Sequence, residues 1–524
     1  MDQPQEEASH ALSESLCAKL ETVERSAAQS NLAPLKPGFI GAVAALSGVL
    51  FGFDASIAAS VGGSVNSHFS LGGSPFLQGL WVAAVPLGAL IGALCGGIVS
   101  GRLGRQRGLL LNATLFIVGI VLAALSPTLG IFILARLVMG LAVGNSAVIT
   151  PMYMAEVSPP DSRGRILFLY QLSIVIGILV SFLIGVAVEA FLPNPDTDWR
   201  VMIGFGLVPA SLFLLGMLKM PRSPRWLIEK EYHEEAHRVL LRMLDRKEAR
   251  KTFAEIHEAA GRKTKATLTA CFGKLILPVM LLGFFLQFFQ QSTGINADMY
   301  FGPQIFEQGG FDKSASMWAQ VVMGVVNLCA TIASIFLVDR LGRRKLMFLG
   351  VTGIVAMLCA QSLLFHLDHT ERPPKPSETV AVQPVLPNTY VPSGVVQTKP
   401  GAPHAPSEIT YWIFASILLY IVFFAISAGP LCWLIISEIF PIRFRGMGMS
   451  IAVAANWFVD YFVSQLFPIM KEGLGMSFTF LLYAAFTMVG LLLAIRFLPE
   501  TRGVPLEKIE ENIYAGKPLR RIGA

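Results

Sequence analysis

Apolar runs of membrane-spanning length recur along this chain and constrain its fold more than any other feature. Each run is long enough to cross a hydrocarbon layer of about 30 Å, and a charged interval separates the runs into two sets of six. In a bilayer the backbone polar groups must be satisfied within the protein, so such segments form helices. The sequence therefore predicts an all-α membrane protein with twelve transmembrane helices in two six-helix bundles. The runs lie near 39–60, 76–99, 109–126, 128–150, 167–190, 200–219, 274–300, 314–338, 345–366, 410–436, 447–470 and 476–497.

The composition of the chain excludes a soluble enzyme. Of its 524 residues, 53% are hydrophobic and 15% are charged, a balance typical of polytopic membrane proteins. The net charge of +6 does not indicate a nucleic-acid partner, because the basic residues fall in short loops between apolar runs. The six cysteines show no paired spacing, which predicts free, mostly buried thiols, no metal site and no cofactor.

The charges of the loops predict the orientation of the chain. The loops around 102–107, 163–165, 340–345 and 443–445 are short and basic. By the positive-inside rule we expect these loops and both termini in the cytoplasm. As a separate expectation, the protein lies in the plasma membrane. The predicted parts are a mobile N-terminal tail (1–36), a first bundle (37–219), cytoplasmic linker helices (220–268), a second bundle (269–498) with an extended extracellular loop (367–409), and a C-terminal tail (499–524).

The two halves of the chain repeat three motifs in the same order. These are Arg-Leu-Gly-Arg, Glu-x-x-Pro-x-x-x-Arg-Gly, and a turn of proline, a charged residue and a hydroxyl residue. Ordered repeats indicate a duplicated six-span unit, and two such bundles around a central cavity favour alternating access. The matched positions are 102–105 with 340–343, 156–164 with 438–446, and 221–223 with 499–501.

Several amides interrupt the apolar run of the seventh span. Gln287, Gln290 and Gln291 share one face of a regular helix, whereas Asn296 would point elsewhere. Thr293-Gly294 lies between them and is a natural place to break the helix. Amides at a helix break within the membrane favour a site for a neutral, hydroxyl-rich ligand. The alternative is that these amides only hydrogen-bond neighbouring helices.

Four sequence segments carry a resemblance to a known family. Together with the Arg-x-Gly-Arg loops, QFFQQSTGIN, PMYMAEVSPPDSRGR, MPRSPRWL and LPETRG resemble the sugar porter branch of the major facilitator superfamily. The resemblance covers about residues 39–510 and implies the major facilitator fold. It also implies that Gln290, Gln291 and Asn296 bind sugar hydroxyls. The matching positions on other spans are Gln171, Asn327, Trp433 and Asn456.

Some of these positions have a second interpretation. Trp433 can cover the apolar face of a sugar ring, or it can be a packing residue or interfacial anchor. Gln171 and Asn456, taken singly, can be interhelical hydrogen bonds. Asp298 stands where the family usually has an apolar residue. It can be solvated, lie in the site, or pair with a cation.

Asp54 is the most informative charge of the first span. An unpaired carboxylate there is costly, and Arg136 of the fourth span is a plausible partner. The resemblance implies a proton-coupling role, because sugar porters driven by protons carry an aspartate at this position. Burial favours the protonated form and the cation favours the ionised form, so such a pair can bind and release a proton. The alternative is a fixed structural ion pair.

The remaining charges near the basic loops are assigned to conformational control. The resemblance implies networks that latch the inner ends of the two bundles and break when the protein opens inward. The residues assigned to this latch are Arg105, Glu156, Arg163, Asp339, Arg343, Arg344, Glu438 and Arg445.

The sequence favours a monomeric secondary transporter that imports a monosaccharide, with a hexose preferred, by proton symport. Its partners would be the sugar, the proton and the lipid bilayer. A facilitative uniporter of the same fold and a non-transporting sugar sensor are the alternatives. An enzyme is excluded because the spans contain no clustered acid–base or metal constellation.

Overall fold

The computed structural model describes residues 14–29, 35–158, 163–192, 194, 196–261, 273–371, 407–441, 443–504 and 506–523. Regular structure within these ranges is helical throughout. The predicted all-α class is confirmed. The reason is physical, since only helices satisfy the backbone of such apolar segments internally.

Seven helices build the first bundle. Pro37–His68 starts with proline in its first turn, and the side chains of Ser74 and Thr128 cap the helices that follow them. The last two helices follow each other closely and make one span. The helices are α2 (Pro37–His68), α3 (Pro75–Leu103), α4 (Arg105–Ala124), α5 (Leu129–Glu156), α6 (Arg163–Phe191), α7 (Asp198–Gly204) and α8 (Leu207–Leu218).

The second bundle also contains seven helices. Two of its spans are broken, one between α12 and α13 and one between α16 and α17. Helix α18 has a non-helical residue at Gly475, so it contains two consecutive spans. The helices are α12 (Leu277–Ser292), α13 (Ile295–Gln308), α14 (Lys313–Leu341), α15 (Arg343–Glu371), α16 (Glu408–Ile426), α17 (Ala428–Ile439) and α18 (Arg445–Phe497).

Twelve membrane crossings result from these helices. Among the described residues, ten segments are long and apolar enough to span a membrane, counting α7–α8 and α16–α17 as one each. Dividing α18 at Gly475 adds one crossing. The broken pair α12–α13 adds another, although each half is too short to span alone.

Short helices lie outside the spans. The linker forms α9 (Pro224–Glu229), α10 (His233–Met243) and α11 (Arg246–Gly261), as predicted, and α19 (Leu506–Tyr514) lies near the C-terminus. The N-terminal segment differs from the prediction of a mobile tail, because residues 14–29 form helix α1 (Glu14–Gln29). Its Leu20 and Val23 are buried in an apolar cluster with linker residues, including Leu227 and Leu240.

Two other predictions need correction. The loop expected at 367–409 is shorter, because residues 367–371 continue helix α15 and α16 begins at Glu408; residues 372–406 lie outside the described part of the chain.

The thiols are not mostly buried. Cys95, Cys329 and Cys359 are exposed on helix surfaces, whereas Cys432 is buried. Apolar and weakly polar side chains can face lipid as easily as the core, so composition does not decide their burial.

The outer faces of the bundles are apolar. On α8, Val208, Leu212 and Leu215 are exposed, while Ala210 and Phe213 on the other side are buried. The exposed side chains recur at helical spacing and form a stripe suited to lipid contact. The chain is therefore a multi-pass membrane protein.

The two bundles touch at the end opposite the basic loops. There Lys313 Nζ lies 2.9 Å from Glu189 Oε1, which joins α14 to α6. Gln465 of α18 donates a hydrogen bond to the carbonyl of Phe76 in α3. Both contacts cross from one bundle to the other, so the structure is closed at this end, which we call the closed end. The end that carries the basic loops is called the basic end.

Candidate functional site

A helix break organises the polar centre of the second bundle. Helix α12 ends at Ser292 and α13 begins at Ile295, with Gly294 between them in the left-handed region at φ +83°. A Cβ atom at this glycine would also lie only 2.6 Å from the ring of Tyr483. Backbone conformation and space therefore both require glycine here.

Five of the predicted amides meet beside this break. Asn456 of α18 donates to Gln287 Oε1 and to Gln290 Oε1, each at 2.7 Å. Gln291 Nε2 donates to Asn456 Oδ1 at 3.1 Å, and Asn296 Nδ2 donates to Gln291 Oε1 at 2.8 Å. The break thus turns Asn296 back toward the glutamines, where a regular helix would have directed it elsewhere. We call these five residues the amide cluster.

The amide cluster is anchored to the second broken span. Gln290 Nε2 donates to the carbonyl oxygens of Ala428 and Gly429, at 2.9 and 2.7 Å. These carbonyls lie at the start of α17, directly after the irregular backbone of Ser427. A single glutamine therefore ties the two helix breaks together.

Three further predicted residues are not joined to the amide cluster. Gln171 on α6 and Trp433 on α17 are partly buried, and Asn327 on α14 is buried. None of the side-chain hydrogen bonds found in the described part of the chain involves them. Their polar groups are therefore available to a ligand, and their substrate role stays a prediction.

Asp54 and Arg136 form a buried ion pair in the first bundle. Arg136 Nη1 lies 2.6 Å from Asp54 Oδ1, and both side chains are only 2% exposed. The guanidinium also lies 5.9 Å from the ring centroid of Trp81. Asp54 Oδ2 and Arg136 Nε have no hydrogen-bond partner among the described residues. The contact is thus a single charged hydrogen bond rather than a bidentate one.

The predicted latch residues form two matching networks at the basic end. Arg105 donates to Glu156 from Nε at 3.1 Å and from Nη2 at 2.8 Å, and Ser223 donates to the other oxygen of Glu156. In the second bundle Arg343 Nη2 donates to Glu438 at 3.1 Å, and Thr501 donates to its other oxygen at 2.6 Å. Each network joins one bundle to the segment that follows it in the chain. No ion pair joins the two bundles at this end within the described ranges, so the latch between the bundles stays a prediction.

The other predicted latch residues have different surroundings. Arg344 forms no hydrogen bond or ion pair with Glu438 among the described residues; its backbone N–H donates to Glu500 Oε2 and its Nη2 to the carbonyl of Ile495. Arg445 is half-buried at the start of α18. The side chains of Arg163 and Asp339 lie outside the described residues.

Sequence reasoning missed several polar residues of these sites. Ser223 and Thr501 occupy matching positions of the third repeated motif, which was a usable signal. Asp460 is fully buried and accepts a hydrogen bond from Tyr300 Oη at 3.1 Å. A carboxylate inside the eleventh apolar run was also a usable signal.

The structure decides two of the three alternatives left open for Asp298. Its side chain is 1% exposed, and neither carboxylate oxygen has a hydrogen-bond partner among the described residues. Its electrostatic neighbours are the hydroxyl groups of Tyr420 and Tyr483. It is therefore neither solvated nor ion-paired among the described residues, and it makes no hydrogen bond to the amide cluster.

Comparisons with known proteins agree with this architecture. The family model described as "Sugar (and other) transporter" matches residues 37–513. The galactose-proton symporter of Escherichia coli K12 is 34% identical over 488 residues, which cover 93% of this chain and 96% of that protein. The major myo-inositol transporter IolT of Bacillus subtilis 168 is 31% identical over 477 residues, 90% of this chain and 93% of that protein.

A solved structure shares the fold. The xylose transporter XylE from E. coli, in a partially occluded inward open conformation, has a TM-score of 0.73 and 27% sequence identity. The match covers 89% of this chain and 99% of that one. The predicted family and the prediction that the chain is not an enzyme are both confirmed: this protein belongs to the sugar transporter family of the major facilitator superfamily.

Proposed function

We propose that this protein imports a monosaccharide, with a hexose preferred, in symport with protons by alternating access. The observation that carries the proposal is the buried pair of Asp54 and Arg136, because proton coupling needs an ionisable group inside the membrane. Relatives named as a galactose-proton symporter and an arabinose-proton symporter support the same function.

The chemistry of the amide cluster supports a neutral, hydroxyl-rich substrate. Each amide offers a donor and an acceptor without net charge, so it can bind either lone pairs or protons of a hydroxyl group. In the proposed site Asn296 and Gln291 exchange their mutual hydrogen bond for bonds to the sugar. Gln171, Asn327 and Trp433 contribute further contacts, the last by covering an apolar ring face.

The arrangement of the bundles supports alternating access. The ion pair and the side-chain hydrogen bond that join the bundles lie at the closed end, whereas the ion pairs Arg105–Glu156 and Arg343–Glu438 at the basic end stay within each bundle. We infer that the basic end faces the cytoplasm with both termini, that the protein acts as a monomer in the plasma membrane, and that residues 37–219 and 269–498 move as two bodies.

Asp54 would carry the proton in this mechanism. When Asp54 is ionised, its negative charge is compensated by Arg136 through one hydrogen bond only. Protonation removes that charge, frees Arg136, and changes which arrangement of the first bundle is most stable. Sugar movement and proton movement become linked if the neutral form is the one that closes around sugar.

The replacement of Asp54 by Asn tests this proposal. Asp54→Asn mimics the protonated side chain, so we expect the variant to exchange labelled for unlabelled sugar across proteoliposomes but not to accumulate sugar when an inward proton gradient is imposed. The unmodified protein should accumulate sugar, acidify the vesicle interior, and lose accumulation when a protonophore is added. A panel of D-glucose, D-galactose, D-xylose and myo-inositol would identify the sugar.

The competing function is facilitative uniport, favoured if the pair of Asp54 and Arg136 is a fixed structural contact. A uniporter would equilibrate sugar without accumulating it, in the unmodified protein and in the variant alike. Uptake by the unmodified protein that ignores the proton gradient would reject symport.

A further inference from the structure

A second buried carboxylate lies between the two bundles, on the same helix as the amide cluster. Asp460 is 0% exposed and follows Asn456 by one helical turn. Its Oδ2 accepts from Tyr300 Oη at 3.1 Å, its Oδ1 accepts from Ser464 Oγ at 3.3 Å, and Asn296 faces the same carboxyl group. No Lys, Arg or His in the described ranges forms an ion pair with it.

Tyr300 connects this carboxylate to the first bundle. It is buried on α13, which packs against α2, and it lies within electrostatic reach of both Asp54 and Arg136. One tyrosine therefore stands between a carboxylate of each bundle, at the interface that must open and close during transport.

The surroundings of the two carboxylates differ in one decisive way. Asp54 has a cation beside it, whereas Asp460 has only hydroxyl and amide groups. Without a cation or water, an ionised carboxylate is strongly disfavoured in a buried site, and the group takes up a proton instead. When the bundles separate at the closed end, water reaches the carboxyl group of Asp460. Hydration then stabilises its ionised form.

Few other charges act on Asp460. Helix α3, which packs along α18, carries no acidic, basic or histidine side chain before Arg102, and α12 carries none at all. On α13 the other carboxylates are Asp298, which faces Tyr420 and Tyr483, and Glu307, whose charged neighbours are Lys313, Glu189 and Lys471. The titratable groups that face Asp460 are thus Tyr300 and, beyond it, Asp54 and Arg136.

We propose that Asp460 and Tyr300 form a second proton-binding site, which must be occupied for the two bundles to meet at the closed end. The proposal rests on the alternating access of the proposed function but not on proton-driven accumulation. Protonation of Asp460 is thus required for the conformational change. While Asp460 is ionised, water cannot leave the closed end, so the bundles cannot meet there and the protein cannot reach the inward-open state, with or without sugar.

Exchange of labelled for unlabelled sugar, at equal concentration and equal pH on both sides, tests the proposal without any driving gradient. The best-transported sugar of the panel above serves as the probe. We expect the exchange rate of the unmodified protein to fall at alkaline pH by up to about tenfold per pH unit for each group that must stay protonated. In Asp460→Asn the fall should shrink to the part that Asp54 contributes, and in Asp54→Asn/Asp460→Asn it should disappear, because neither amide can ionise.

Three further variants sharpen this test. Tyr300→Phe removes the hydroxyl that stabilises the ionised form, so the midpoint of the fall should move to higher pH. Asp298→Asn, a matched buried carboxylate on α13, should retain the profile of the unmodified protein. Asp54→Asn should retain the part of the alkaline fall that Asp460 causes, since it leaves Asp460 in place.

The outcomes separate this inference from the proposed function. An Asp460→Asn profile equal to that of the unmodified protein, or a flat profile of the unmodified protein, would overturn the second site. If the unmodified protein does not accumulate sugar but its exchange rate still falls at alkaline pH in a way that depends on Asp460, symport is rejected and the second site is retained. If Asp460→Asn does not fold, as judged by its thermal melt, the Tyr300→Phe shift decides, and an unmoved midpoint overturns the proposal.

Discussion

Asn456 shows at the scale of one residue how the centre of the second bundle is held together. Its amide donates to two glutamines of α12 and accepts from a third, so one side chain from α18 fixes the orientation of three others. Buried amides in such a network are satisfied only as a set, and the loss of one leaves partners unpaired. This geometry prepares the glutamines for a ligand instead of leaving them to rotate freely.

Removal of a single amide at the edge of this cluster should weaken sugar binding. Asn296→Ala deletes the donor to Gln291 Oε1, and we expect a loss of about 1–3 kcal/mol in sugar affinity, the usual cost of unpaired buried polar groups. Folding should survive, because Asn296 is only partly buried. Calorimetric titration of the purified protein measures the affinity.

The control for this change is Gln361→Ala. Gln361 is a fully buried amide of α15 without hydrogen-bond partners in the described structure, so its loss should leave sugar affinity unchanged. Unchanged affinity in Asn296→Ala and in the equivalent Gln291→Ala would remove the amide cluster as the binding site.

At the scale of elements, the break between α12 and α13 depends on Gly294. Gly294→Ala combines a left-handed backbone, which costs about 1–2 kcal/mol for a residue with Cβ, with a contact of 2.6 Å to Tyr483. We expect a lower midpoint of thermal unfolding and weaker sugar binding, because the break positions Asn296.

A double-variant comparison separates the two costs of Gly294→Ala. Tyr483→Ala removes the ring that would lie 2.6 Å from the added Cβ, so Gly294→Ala in the Tyr483→Ala background should show only the backbone cost. The difference between the shifts in melting midpoint in the two backgrounds measures the clash with Tyr483. Equal destabilisation by Gly294→Ala in both backgrounds would contradict the role assigned to Tyr483.

Helix α1 is attached to the linker by a charged contact. Glu24 is buried and pairs with His237 at 3.0 Å, and Arg246 and Arg250 donate to the same carboxylate. Burial raises the pKa of Glu24, but the hydrogen bonds from Arg250, His237 and Arg246 outweigh it and hold this pKa below its ordinary value. Burial also lowers the pKa of His237 below its ordinary value, despite the bond to Glu24.

These shifts predict that α1 detaches as the pH falls. The docked form disfavours protonation of His237, so docking weakens as the pH falls below the ordinary histidine pKa of about 6.5. Protonation of Glu24 weakens docking further below its ordinary pKa of about 4.3. A spin label on Cys17 should become more mobile from pH 7 to pH 5. Glu24→Gln should be mobile already at pH 7, whereas the half-exposed Glu21→Gln should resemble the unmodified protein. A label that is equally immobile at both pH values would contradict this assignment.

At the scale of the whole molecule, the two bundles carry equivalent networks with unequal burial. Arg105 and Glu156 are 7% and 9% exposed, whereas Arg343 and Glu438 are 14% and 15% exposed. The loss of a charge in a partly buried network costs more than in a solvated one. The first bundle should therefore depend more strongly on its network than the second.

Neutral substitutions in these networks should change the balance of conformations. We expect Glu438→Gln to shift the conformational equilibrium by about 1–2 kcal/mol toward molecules that are open at the basic end. Glu156→Gln should shift it further in the same direction. Thiol labelling of Ser450→Cys, at a position of α18 that faces α3 near Gly97, measures the opening when the native cysteines are replaced. Glu511→Gln, in an exposed pair with Lys508, is the control. Labelling no faster than in the control would remove the latch role.

The sequence by itself determined the architecture of this protein. Twelve apolar runs, three motifs that each occur once in either half, and a charged interval predicted two six-helix bundles, because a bilayer permits only helices as single spanning segments and repeats fold alike. It also identified four of the five amides, Asp54 and Arg136, since polar groups inside apolar runs are rare and conspicuous, whereas Asn456 was assigned through the family resemblance. These features depend on local composition and period, which a sequence displays directly.

Only the tertiary structure decided which of these groups meet. The direction of Asn296 depends on the φ of Gly294. The neighbours of Asp298 depend on how α13 packs against α16 and α18. The docking of α1 depends on the three partners that Glu24 finds in the linker. The contact between Tyr300 and Asp460 joins residues 160 positions apart. Such pairings arise from backbone irregularities and helix packing, which are set by the sum of many contacts and leave no periodic signal in the sequence.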